Sequence, residues 1–144
     1  MMDVTPKAYK IWKRLFKEPN IWLDLGDIAY DVNMTCRQVS SVVQTMNSAY
    51  IRKSDNGKQR PAIKLCCDGE ELELLKREVI ISYNQLNDEI FDTIRASLSP
   101  VGWTSAQDVA LITGYHGATI NIATQLMDDV VSKDAGKSKY YMLG

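Results

Sequence analysis

Between Tyr9 and Phe16 the apolar side chains Tyr9, Ile11, Trp12, Leu15 and Phe16 keep the spacing of one helix face. Thr5-Pro6 ahead of them is a start signal, with proline placed where its missing N–H costs nothing, and Lys17-Glu18-Pro19-Asn20 ends the helix. Leu25, Ile28, Ala29 and Val32 repeat the pattern behind Asp24, a residue suited to capping, and Asn33 closes that second helix. Thr35-x-x-Gln38 then reads as a capping box, in which the threonine oxygen takes a free first-turn amide and the glutamine reaches back. Val39, Val42, Val43 and Met46 form the buried stripe of a third helix, leaving Arg37, Ser41, Gln44 and Ser48 on its opposite face. Tyr50 to Lys53 and Ala62 to Cys66 have strand patterning around the turn residues Ser54-Asp55-Asn56-Gly57, which predicts a hairpin.

The chain then repeats itself. Trp22, Asp27, Ala29, Gln44 and Met46 recur 81 positions later as Trp103, Asp108, Ala110, Gln125 and Met127. At the same offset Arg14 and Pro19 fall on Arg95 and Pro100, so an ungapped register from residue 14 to residue 46 holds seven identities in 33 positions. Ile28 to Val109 and Val39 to Ile120 keep their chemistry, and Asp55-x-Gly57-Lys58 meets Asp134-x-Gly136-Lys137 at an offset of 79. A period near 80 residues is too long for a solenoid unit and suits a small domain.

In the second copy Ile90, Phe91, Ile94 and Leu98 mark a first helix, broken at Ser99-Pro100-Val101-Gly102. Thr104-x-x-Gln107 offers another capping box, and Val109, Ala110 and Ile112 or Thr113 continue a second helix. Gly114-Tyr115-His116-Gly117 makes the turn, and Ile120, Ala123, Thr124 and Met127 line a third helix. A short hairpin follows, in which strand alternation buries one of Tyr140 and Tyr141 and exposes the other. Trp22 and Trp103, at the same place in both copies, are expected to anchor the first helix against the sheet side.

The segment between the copies starts near Asp68, with Glu70, Glu71 and Glu73 at the positive end of a helix dipole. Leu72, Leu75, Val79, Tyr83, Leu86, Ile90 and Ile94 follow at spacings of three and four. Either one helix of nearly 30 residues or two meeting near Asn84 to Asn87 fits, and the apolar stripe needs a partner. The two domains themselves or a second copy of the chain could provide it.

Helix, helix, helix, hairpin, with a short turn before a capped helix and a Gly-containing hairpin after it, resembles the winged helix-turn-helix family. The resemblance implies a mainly α (α+β) chain of two tandem winged-helix domains joined by a long helix. Residues 1–68 would form the first domain, and residues 69–144 the linker helix and the second. Winged-helix proteins place helix three in the major groove and the wing against the backbone or minor groove.

Composition adds a polarity. The net charge of −1 divides into +4 over residues 1–68, with 11 Lys or Arg against 7 Asp or Glu, and −5 over residues 69–144, with 6 against 11. The first half is therefore the one suited to double-stranded DNA. Arg37 fits guanine, Gln38 or Gln44 fits adenine, and Thr35 and Ser41 fit phosphate or base edges. Arg52, Lys53, Lys58, Arg60 and Lys64 of the hairpin, with Lys7, Lys10, Lys13, Arg14 and Lys17 of the first helix, would add affinity without sequence information. The bland reading of the same residues is a solvated helix face and a solubilising hairpin. In the second copy the corresponding helix face is Ala118, Ile122, Gln125 and Asp129, which would repel phosphate; Ala118, Ile122 and Gln125 are the candidate partner interface, unless Ile122 packs within its own chain.

No glycine-rich phosphate loop, G-x-S-x-G or H-E-x-x-H motif occurs, and the single histidine, His116, reads as a surface or cap residue. Cys36, Cys66 and Cys67 form no even set and no C-x-x-C pair, and read as small buried apolar side chains. The expectation is a non-enzyme without cofactor, metal or small-molecule ligand. No apolar run approaches the roughly 18 residues of a membrane span, and no signal-peptide stretch opens the chain, so a cytoplasmic protein is expected, nucleoid-associated if it binds DNA. The most direct function is a DNA-binding transcriptional regulator or small chromatin component. The alternative is an interaction scaffold built from tandem winged helices, which the acidic second half favours; under either reading a homodimer could form through the long helix or the C-terminal domain.

Overall fold

The structure, a computed structural model, describes residues 2–54 and 61–144, and these divide into two compact units, Met1–Tyr83 and Asn84–Gly144. Both are mixed α and β. In the first, α1 (Pro6–Lys17), β1 (Leu23–Asp24), α2 (Leu25–Asp31), α3 (Cys36–Val43), β2 (Ile51–Ser54) and β3 (Ala62–Leu65) are followed by α4 (Gly69–Tyr83). In the second, α5 (Asp88–Ala96), β4 (Thr104–Ser105), α6 (Ala106–Thr113), α7 (Gly117–Gln125), β5 (Val130–Ala135) and β6 (Ser138–Leu143) repeat the order of the first six elements. Each unit has a three-stranded antiparallel sheet with its last strand in the middle, β1-β3-β2 and β4-β6-β5.

Local chemistry sets the helix ends. Thr5 Oγ accepts from the Ala8 N–H at 3.2 Å ahead of Pro6, and Asp24 Oδ1 accepts from the Gly26 N–H at 3.2 Å. The capping box of α3 is complete: Thr35 Oγ accepts from the Gln38 N–H at 3.1 Å and Gln38 Oε1 from the Thr35 N–H at 2.9 Å. In the second unit the cap lies one residue later than Thr104, which belongs to β4. Ser105, which matches Asp24 of the first unit and ends β4 paired with Tyr140, is the cap, its Oγ accepting from the Asp108 N–H at 3.1 Å.

Ile11, Leu15, Ile28, Val39, Ile63 and Leu65 are fully buried around Trp12 in the first unit, and Val39 and Ile28 have buried counterparts in Ile120 and Val109. The second unit closes around Tyr141, buried at the centre of β6, while Tyr140 is half-exposed. From β1 to α3 the two units match at the offset of 81. The first helices do not. Trp12 and Leu15 correspond in burial to Phe91 and Ile94, and the last helical residues are Lys17 and Ala96, both at an offset of 79. The second unit thus has two extra residues before its first strand, and Arg14 and Arg95 occupy different helix positions. The expected ungapped register therefore holds only from Trp22 onward.

The segment between the copies is two helices, not one long helix. Gln85 is left-handed (φ 56°), and Asn87 Oδ1 accepts from the Ile90 N–H at 3.0 Å to start α5 afresh. Residues 69–83 also lie in the first unit rather than with the C-terminal copy. Leu72, Leu75 and Val79 enter the core that contains α1, and the Tyr83 ring stacks on Tyr9 at 3.9 Å with 12° between planes. The apolar stripe of α4 is thereby covered within its own unit. Among the described residues no helix is long and apolar enough to cross a membrane.

Asn20, which sequence patterning marked only as a helix stop, ties the α1–β1 turn to the sheet. Its backbone is left-handed (φ 62°), its N–H donates to Leu65 O at 2.7 Å, and its amide meets both Cys67 groups, Nδ2 donating to O at 2.9 Å and Oδ1 accepting from N–H at 3.2 Å. Asn20→Ala removes both side-chain bonds and strains the backbone, and is expected to cost about 2–3 kcal/mol in urea unfolding. Asn20→Gly, which relieves the strain, should cost less; equal losses for the two would show that backbone conformation has no part in the effect.

Candidate nucleic-acid interface

The candidate residues separate into groups with different surroundings. On α3, Arg37, Ser41 and Gln44 are exposed along one side while Val39 and Val43 are buried on the other. Arg37 has no ion-pair partner among the described residues. Thr35 and Gln38 are exposed too, but the capping box occupies the threonine oxygen and the glutamine carbonyl. A glutamine that reads adenine uses both ends of its amide, so Gln38 as held here cannot do so. Gln44, at the C-cap of α3, keeps its side chain outward.

The pleat distributes the hairpin cations. Lys53 pairs across the ladder with buried Ile63, on the face toward the helices, and its Nζ donates to Ser40 Oγ of α3 at 2.7 Å. Arg52 points to the opposite face, directly across from Lys64. Of the five hairpin cations expected to act together, Lys53 joins the α3 surface, Arg52 and Lys64 share the outer face, and Lys58 and Arg60 lie outside the described residues.

Trp22 and Trp103 are also on the outside. They are 47% and 40% exposed, so neither is the anchor expected for the first helix; Trp12, from that helix itself, fills the core. A lysine covers each indole instead: Lys64 Nζ lies 5.6 Å from the Trp22 ring and Lys133 Nζ 4.5 Å from the Trp103 ring.

A further group lies on α1, where Lys10, Lys13, Arg14 and Lys17 line an open cleft of about 780 Å³ with Glu18, Asp31, Val32 and Asn33. Arg14 bonds Asp31 at 2.6 Å and Glu18 at 2.9 Å. The hydrogen bond to Asp31 leads the causes that raise the Arg14 pKa above its ordinary value.

In the second unit Ala118 and Gln125 are exposed on α7, but Ile122 is half-buried. Asp129 is not part of that outer face: its carboxylate accepts from Arg95 Nε at 2.5 Å and Nη2 at 3.2 Å, and this hydrogen bonding holds it below the usual carboxylate range. Of the helical apolar side chains in this unit, Leu111 at 76% and Ile112 at 64% on α6 are the exposed large ones, although the pattern offered Ile112 as an inward position; Val101 and Val131 are exposed outside the helices. Dividing the chain at Tyr83 also softens the charge polarity. The first unit has 13 Lys or Arg against 11 Asp or Glu, net +2, and the second 4 against 7, net −3.

His116 is the N-cap of α7 and is exposed without a side-chain cap bond. Cys67 is buried, with its thiol pushed up first by burial and then by the carboxylates of Glu71 and Asp68, whereas Cys36 is exposed at the start of α3. Cys36 is thus not the buried apolar side chain the cysteine pattern suggested, because it falls on the outer side of the helix. Among the described residues no group of three His, Cys, Asp or Glu could hold a metal ion.

No protein-family model matches the chain, and no curated protein matches it. Among solved structures it is similar to the crystal structure of the DIP2311 protein from Corynebacterium diphtheriae, at 16% identity over 96% of this chain, with a TM-score of 0.33. The chain spans 26% of the length of that protein, and a likeness at this level carries no argument about fold or function.

Proposed function

We propose that the chain is a pair of tandem winged helices whose first unit binds duplex DNA through α3 and the β2–β3 hairpin, as a transcriptional regulator or small chromatin component. The observation that carries this reading is the bond from Lys53 Nζ to Ser40 Oγ, 2.7 Å long, which sets a hairpin cation beside the exposed row of Arg37, Ser41 and Gln44. A helix face that presents a guanidinium, a hydroxyl and an amide, flanked by a cation, has the donors and acceptors for base edges and phosphates together. In this reading Arg37 pairs with guanine, Gln44 with adenine, Ser41 with phosphate or a base edge, and Lys53 with phosphate. Thr35 and Gln38 shape the helix start, and the protein acts without catalysis or cofactor, in the cytoplasm.

The test is a titration of the full chain on selected and random duplexes. Arg37→Ala is expected to weaken binding to the selected duplex by about 1–3 kcal/mol and to flatten the preference among sequences. An Arg37→Ala protein that ranks duplexes as the parent does would remove α3 from the reading role.

A second reading, an interaction scaffold, draws on exposed Leu111 and Ile112 of α6 and on the acidic second unit. Large apolar side chains this open are suited to a protein contact, including one with a second copy of the chain. Retention on heparin and duplex DNA at low salt separates the two readings: a scaffold passes through both.

A further inference from the structure

We infer that the α1 cleft is a second phosphate-binding surface of the first unit, one that grips the backbone of duplex nucleic acid independently of sequence. The inference rests on the duplex-binding reading above but uses none of the α3 or hairpin side chains.

Four cations, Lys10, Lys13, Arg14 and Lys17, stand within about two helical turns. Neighbouring like charges three and four residues apart repel along a helix; the helix dipole offsets this for Arg14 and Lys17 in the last turn and the Tyr9 ring for Lys13, while Lys10 stands before the last turn. The second unit lacks this cluster. At the offset of 79 that matches the buried positions of α1 and α5, Lys10 and Lys13 are replaced by Glu89 and Asp92.

The two carboxylates in the cleft are already committed. Arg14 bonds both Asp31 and Glu18, leaving the three exposed lysines to set the field of the opening. Lys10 to Lys17 spans about 10 Å at 1.5 Å per residue, roughly three nucleotide steps of one strand. The cleft also reaches Asn33, two residues before the Thr35 cap of α3, so its floor continues toward the start of the candidate reading helix. A concave row of exposed ammonium groups at that spacing, among which Lys13 Nζ also lies 4.8 Å from the Tyr9 ring, fits a run of phosphodiesters.

The test compares the full-length parent with the triple variant Lys10→Gln/Lys13→Gln/Lys17→Gln, using fluorescence anisotropy on random and selected duplexes over a range of salt. The triple variant should bind with a log–log salt slope shallower by about 2–3 and an affinity near 0.1 M salt lower by on the order of a hundredfold, equally for all sequences. Its thermal midpoint should stay close to that of the parent, since relieved repulsion along α1 offsets the loss of the Lys13–Tyr9 contact and of the Lys17 charge at the helix C-terminus. Lys10→Arg/Lys13→Arg/Lys17→Arg, which keeps the charge, should retain the parent slope.

A glutamine variant with the parent slope and affinity overturns the cleft while leaving α3 in place. A reduced slope in that variant, with Arg37→Ala indistinguishable from the parent, supports the cleft and removes the α3 assignment. A parent that binds inorganic polyphosphate but no duplex overturns nucleic acid as the source of the phosphates.

Discussion

Trp12→Ala is expected to cost about 3–5 kcal/mol, the range for removing a large buried aromatic, and to leave much of the first unit unfolded under mild denaturant. Trp12 is fully buried in the same core as Ile11, Leu15, Val39, Val43 and Met46, and its ring packs on Phe16 at 5.7 Å between centroids. The indole therefore holds α1 against the inner stripe of α3. Its removal leaves a cavity that rigid helix backbones can close only in part, so the loss exceeds that expected from transfer of the side chain alone. Urea unfolding followed by far-UV circular dichroism reads the effect. Because Phe91 occupies the matching place in the second unit, Trp12→Phe should recover most of the stability. A Trp12→Ala protein within 1 kcal/mol of the parent would show that α3 is held by something other than this core.

The corresponding test in the second unit is Tyr141→Ala, also expected to cost about 3–5 kcal/mol by analogy with other buried aromatics. Tyr141 lies at the middle of β6, paired with Thr104 on one side and Ser132 on the other, and is fully buried. Truncation empties the core side of the central strand and weakens the contact between sheet and helices at once. Tyr140→Ala, one residue away on the half-exposed face beside Lys133, should cost much less. Hydrogen exchange in the β5–β6 ladder distinguishes them: amides from Val130 to Leu143 should lose protection in Tyr141→Ala and keep it in Tyr140→Ala. Equal effects would mean that the strand faces are not as the pairing places them.

The two predictions also bear on function in different ways. Trp12 touches no candidate ligand surface, so any change in duplex binding by Trp12→Phe would reflect the position of α3 rather than lost contacts. Arg37, Lys10 and Lys17 are exposed, and their substitution should change binding with little effect on stability. Stability and binding can therefore be measured as separate quantities in the same unit.

Much of the architecture follows from rules that act over a few residues, and those were legible in the chain itself. Pro6 and Thr5, Asp24, and the Thr35–Gln38 box start helices because capping needs only an oxygen within three positions of a free amide. The 3.6-residue period placed Val39 and Ile120 inward, and the repeat told that one order of elements would occur twice. Tertiary structure decided what depends on residues far apart in the chain. Cross-strand pairing set Lys53 beside α3 and turned Arg52 to the opposite face; packing on α1 drew α4 into the first unit; and two added residues before β4 shifted α5 against the repeat. Asn20 could be recognised as a clamp only once Cys67 stood beside it, and the lysines of α1 became a cleft only when the end of α2 formed its other wall. Periodicity along one element specifies which face is apolar, but the polar face acquires neighbours, and so a chemical role, only when the chain closes on itself.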